Sequence, residues 1–104
     1  MKSSTSLVSI FCSVQKALLG NVTPNLRAVY VLVEDGICGI IFYYDHPLSE
    51  DEEELASLAD TEFIADFPSP EYKTSCTIEV IPYPTPIPKH GYCVYERYEK
   101  KSPR

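Results

Sequence analysis

The feature that most constrains this chain is a pair of apolar segments, LRAVYVLVE at 26–34 and ICGIIFYYD at 37–45, separated only by Asp35-Gly36. Both are rich in β-branched and aromatic residues, which suit a pleated, half-buried surface. Asp-Gly is favoured in two-residue hairpin loops because both central residues must accept positive φ. A hairpin with one solvated face would alternate polar with apolar residues, and this one is apolar on both faces over much of its length. The two strands are therefore expected at the centre of a sheet. Each face then needs a cover, or one is left for a partner.

The cover comes from two helical segments. Residues 4–19 place Leu7, Ile10, Phe11, Val14, Ala17 and Leu18 at the spacing of one helix face, with Ser3, Ser4 or Thr5 as a cap and Gly20 as a stop. His46-Pro47 ends the second strand, and Ser49 opens another helix. Glu52 follows Ser49 by three residues, the spacing of a capping box. Leu55, Leu58, Ala59, Glu62/Phe63 and Asp66/Phe67 are expected on its inner side, and Glu50, Glu53, Glu54, Ser57, Asp60 and Thr61 on its outer side, with an end near Phe67 before Pro68 and Pro70.

Residues 73–81 alternate well enough for a third strand, with Cys76, Ile78 and Val80 inward and Thr77 and Glu79 outward. Prolines 82, 84, 86 and 88 cannot donate to a sheet ladder, so this run is expected to cross between strands as an extended connection. Residues 91–99 form a fourth strand, and the basic tail at 100–104 is expected to fray. The fold class is α+β: a two-layer sandwich of two helices on a four-stranded, mainly antiparallel sheet, in the order αββαββ. Each half would carry one helix and one hairpin. At 104 residues the chain suits a single domain over 1–104.

No run reaches the ~20 apolar residues of a membrane span. Serines interrupt the N-terminal SLVSIFCSV, which reads as helix rather than secretory signal. Cys12, Cys38, Cys76 and Cys93 form no CxxC pair and read as buried free thiols of a cytoplasmic protein.

Catalytic hardware is sparse. The chain has two histidines and four glycines, and no GxGxxG, GxxxxGK or GxSxG run. His90 and Cys93 stand three apart, but a strand turns such residues to opposite faces. No metal ligands, catalytic residues or cofactors are assigned, and the chain is read as a non-enzyme.

Charge is more informative. Acids outnumber bases 15 to 9, for a net charge of −6, which argues against binding nucleic acid directly or docking on an anionic membrane. The window from Asp45 to Glu71 holds ten acids and no Lys or Arg. Such a face can be a solvated helix end, or it can steer a basic partner into place. Eight tyrosines supply either ordinary strand residues or interface anchors. The candidate partner contacts are Glu50, Asp51, Glu53, Glu54, Asp60 and Glu71 for charge, and Tyr44, Tyr83 and Tyr95 for packing.

The stretches LLGNVTPNLRAV, FYYDHPLSEDEEELASLADTEFIADF and PYPTPIPKHGYCVYER resemble small bacterial immunity proteins of toxin–immunity loci, including those of contact-dependent growth inhibition. The resemblance spans roughly residues 17–98 and rests on no short catalytic motif. It implies a cytoplasmic inhibitor, monomeric or weakly dimeric, that binds the toxic C-terminal domain of a cognate protein. Such toxins are commonly basic nucleases, RNases among them. Two other classes stay open: a homo-oligomeric structural or interaction module, and a small Cys/His-dependent enzyme.

Overall fold

Asp35 and Gly36 both adopt positive φ, 52° and 76°, the left-handed conformation that a two-residue hairpin loop requires. They join β1 (Leu26–Glu34) to β2 (Ile37–Tyr44), which pair antiparallel. The computed structural model describes residues 7–66 and 73–99. Around the hairpin it sets α1 (Leu7–Leu18), α2 (Glu50–Asp66), β3 (Lys73–Val80) and β4 (Tyr92–Glu96). The sheet order is β3-β2-β1-β4, so the two doubly apolar strands are central, as expected.

Alternation along the hairpin builds two unequal cores. Leu26, Val29, Val31, Cys38, Ile40, Phe42 and Tyr44 face the helices. There they meet Ile10, Val14, Ala17 and Leu18 of α1 and Ala59 and Phe63 of α2. Ala28, Tyr30 and Tyr43 form a smaller cluster, with the Tyr30 and Tyr43 rings edge to face at 5.9 Å. Ile81 and Ile87 of the proline-rich segment pack on it. The prolines link β3 to β4 as expected, but not as one extended run: the Thr85 amide donates to the Pro82 carbonyl at 2.8 Å across a turn that holds the cis Tyr83–Pro84 bond, and the segment covers part of the sheet's second face.

The expectation of a hairpin in each half is corrected. β3 lies parallel to β2, and β4 lies antiparallel to β1, at opposite edges of the sheet. Parallel neighbours need a crossover, which α2 provides. Four prolines between β3 and β4 remove the donors that a tight antiparallel return would use. β4 enters its ladder through Gly91, where an added Cβ would lie 2.5 Å from the Val31 carbonyl oxygen. Only glycine lets the backbone approach that closely.

The rotation of α2 also differs from expectation. Ala56, Ala59 and Phe63 are buried, Asp60 is half-buried, and Leu58 is 47% exposed. Glu52 makes tertiary hydrogen bonds that fix how the helix starts, and positions 56, 59 and 63 follow from it at helical spacing. Phe67 lies outside the described residues. The cysteines are unpaired; Cys38 is buried and Cys76 half-buried, but Cys12 and Cys93 are exposed rather than internal.

Candidate functional site

The capping box read from Ser49 and Glu52 is formed. The Glu52 amide donates to Ser49 Oγ at 3.2 Å, and the Ser49 amide donates to Glu52 Oε1 at 3.0 Å. Glu52 also accepts from Thr23 Oγ1 at 3.0 Å and Asn25 Nδ2 at 3.1 Å. These donors, the Ser49 amide first, hold its carboxyl below the ordinary glutamate value. Glu52 therefore clamps α2 to the loop before β1.

A second group of acids is engaged at the same end of the sheet. Arg27 is 3% exposed and lies at the register shift between Leu26 and Ala28 in the β1–β2 ladder. Its Nε and Nη2 donate to the two Glu99 oxygens at 2.7 and 2.9 Å, and its Nη1 donates to the Ile81 and Thr85 carbonyls at 2.7 and 2.8 Å. The Tyr83 ring lies 5.6 Å from the guanidinium carbon. Arg97 joins Asp45 at 3.1 Å, Glu99 at 3.0 Å and the Pro24 carbonyl at 2.7 Å. The Tyr83 amide donates to Asp45 Oδ1 at 2.8 Å. That amide first, then Arg97, lowers the Asp45 pKa. Arg27 does the same for Glu99. The network pins the proline-rich segment and the end of the chain to β1.

By contrast, Glu50, Asp51, Glu53 and Glu54 are exposed, and among the described residues none forms an ion pair. They occupy the first turns of α2, where the amide ends of the helix favour negative charge. Asp60 stands apart from them. Its Oδ1 is sealed from solvent without a hydrogen-bond partner among the described residues, and burial raises its pKa. Asp60 lies within electrostatic reach of Cys76, whose thiol is pushed up to about 12 by burial first and by Asp60 second. Glu71 lies outside the described residues.

The three tyrosines selected from the sequence sit in different settings. Tyr44 is 2% exposed and stacks on Phe42 at 6.3 Å, so it is a core residue beneath α2 rather than a surface anchor. Burial pushes its hydroxyl up to about 12. Tyr83 is 42% exposed and covers Arg27. Tyr95 is half-buried against the helix-side core. Sequence reasoning missed Arg27 as an organising residue. Its signal was a lone arginine in an otherwise apolar strand, but the acid that answers it is 72 residues away.

Among the described residues no three His, Cys, Asp or Glu side chains gather as a metal site would require, and His90 and Cys93 are both exposed. No described helix is long and apolar enough to cross a membrane. What the arrangement offers is an exposed acidic helix start that no ion pair neutralises among the described residues. A family model described as MafI2 immunity protein matches residues 8–99. The chain belongs to the MafI2 immunity protein family. Membership supports an immunity function, and with it a cognate toxin as partner and a non-enzymatic mode of action. It agrees with the resemblance to bacterial toxin-immunity proteins read from the sequence. No curated protein matches the chain. The family match covers both the acidic start of α2 and the arginine network at the far end of the chain.

Proposed function

We propose that this immunity protein neutralises a toxin domain with a basic binding surface, a nuclease of the RNase kind, in the cytoplasm of the cell it protects. Delivery of that toxin by contact-dependent growth inhibition is part of the same reading. Glu50, Asp51, Glu53 and Glu54 steer the encounter, and Asp60 and Glu71 extend the negative field. Tyr83 and Tyr95 add packing at the border, while Tyr44 supports the surface from beneath. Nucleases bind a polyanion through basic clefts, so a rigid acidic face competes for the same charges.

The observation that carries this reading is the isolation of the four exposed acids. Asp45, Glu52 and Glu99 are answered within the chain, and among the described residues these four have no ion pair. Like charges this close disfavour the helix by a few tenths of a kcal/mol per pair, which a partner's cations would relieve. The test is co-expression with the toxin domain encoded at the same locus, then co-purification at low and high salt. The expected outcome is protection of the host and a complex that weakens as salt rises. Equal killing with and without this protein would end the immunity reading. A complex indifferent to salt would end the electrostatic one.

A further inference from the structure

We propose that the outer edge of β3, together with the strip between β3 and α2, is the docking track for an extended segment of the toxin carrying alternate apolar and basic side chains. This rests on the immunity reading above and adds a surface and a mode of binding to it.

The backbone supplies the first argument. The Lys73 amide donates to the Gly36 carbonyl and the Ile81 amide to the Tyr44 carbonyl, each at 2.8 Å. Odd-numbered residues of β3 therefore turn their backbone groups toward β2. Thr74, Cys76, Ile78 and Val80 turn theirs away from it, because successive residues of a strand alternate. β3 is an edge strand, and among the described residues no strand pairs with that outer side. The two edges of the sheet differ. β4 has five residues, a register shift, and a cover from Gln15 Nε2, which donates to the Val94 carbonyl. β3 has eight residues in unbroken register with β2. Short or bulged edges are how proteins avoid adding another strand. β4 has both devices and β3 has neither.

Side chains supply the second argument. Ile78 and Val80 pair across the ladder with Phe42 and Tyr44 and share their helix-side face. Phe42 and Tyr44 are sealed, whereas Ile78 is 43% and Val80 40% exposed. The helical layer thus ends over β2 and leaves an apolar shelf on β3. One more strand, laid along the edge, would continue the sheet and bring its own apolar side chains over that shelf.

Charge selects the occupant. Cys76 lies within reach of Asp60, which identifies the flank of α2 that faces β3. Glu53, Ser57, Asp60 and Ile64 follow one another on that flank at helical spacing. Among the described residues Glu53 is exposed without a cation, and Asp60 holds an oxygen without a hydrogen-bond partner. Separate basic side chains of the added strand would answer Glu53 and the Asp60 carboxylate, which lie about two helical turns apart, whereas an acidic or wholly apolar segment would not.

Residue-resolved amide exchange by NMR tests the track, on the full chain alone and in complex with the toxin domain from the same locus. In the free protein the odd-numbered amides of β3 should be protected and those of Thr74, Cys76, Ile78 and Val80 fast. In the complex these four should slow at least tenfold. Ile78→Lys should weaken the complex at least tenfold while the free variant keeps its circular dichroism. Should that variant not fold, Asp60→Asn serves: it should raise the unfolding midpoint of the free protein yet weaken the complex, a split that a purely structural role would not give. A complex that leaves the four amides as fast as before would overturn the track and keep the immunity reading. Absence of any complex at low salt would overturn both. Concentration-dependent protection of the same amides without toxin would assign the edge to a second copy of the chain and overturn the proposal.

Discussion

Asp45, Glu52 and Glu99 differ from Glu50, Asp51, Glu53 and Glu54 in nothing that composition records, yet the fold treats the two groups in opposite ways. The first three are half-buried and held by arginines, backbone amides or side-chain donors, which keep them charged and make them parts of the scaffold. The other four stand in solvent, and among the described residues no cation pairs with them. Glu52 and Glu53 are neighbours in sequence, but one clamps the helix to the loop before β1 and the other looks outward. Acid counts therefore overstate the surface field and hide the scaffold. Only partners in space separate the two roles.

The sharpest way to break this contrast is to cut the scaffold side. Arg27→Ala leaves Glu99 and the Ile81 and Thr85 carbonyls without their donor. We expect a loss of about 3 kcal/mol in denaturant unfolding, the size seen when one partner of a buried pair is removed. Glu52→Ala removes the reciprocal half of the capping box and the links to Thr23 and Asn25. It should cost about 1–2 kcal/mol by the same measurement.

Acid titration separates the groups without mutation. The folded-state pKa values of Asp45, Glu52 and Glu99 lie below their ordinary values. Their contribution is fully present above the unfolded values, near pH 4, and is lost as pH falls through the lower folded ones. Asp60, whose pKa is raised, works the other way: its cost is present at neutral pH and is relieved as it protonates. The unfolding midpoint should thus fall on acidification below about pH 5, and less steeply in Glu52→Gln than in the native chain. An identical slope would show that Glu52 carries no linked proton. The smallest effect belongs to the outward group: Glu53→Gln should move stability by no more than about 0.5 kcal/mol, and a larger loss would place Glu53 with the scaffold.

Local features were legible in the sequence. The Asp35-Gly36 turn, the capping box and the inner face of α1 each depend on residues within one turn or one hairpin, and the structure has all three. Non-local choices were not legible. The pairing of β3 with β2 brings Lys73 beside Ile37, and no periodicity marks a parallel partner across a helix. The expected inner side of α2 included Leu58 and left out Ala56, and the tertiary bonds of Glu52 set a rotation that buries Ala56, Ala59 and Phe63 and leaves Leu58 exposed. Tyr44 reads from the sequence as a packing contact because a tyrosine near a strand end suits an interface, but its place on a central strand depends on partners the local sequence does not mark. Tyr43 and Tyr44 are both buried, one on each face of a central strand. The acidic window was legible as a count, but its division into held and free carboxylates depended on Arg97, Thr23 and Asn25, none of which lies within it.

The most direct test of the account is the association rate with the cognate toxin domain, by stopped flow, for the native chain and for Glu50→Gln/Asp51→Asn/Glu53→Gln/Glu54→Gln. Steering by the free acids predicts a native rate at least about tenfold faster than the variant at low salt. The two rates should converge as salt screens the field, with little change in the unfolding midpoint. Equal rates for the two proteins at low salt would contradict it.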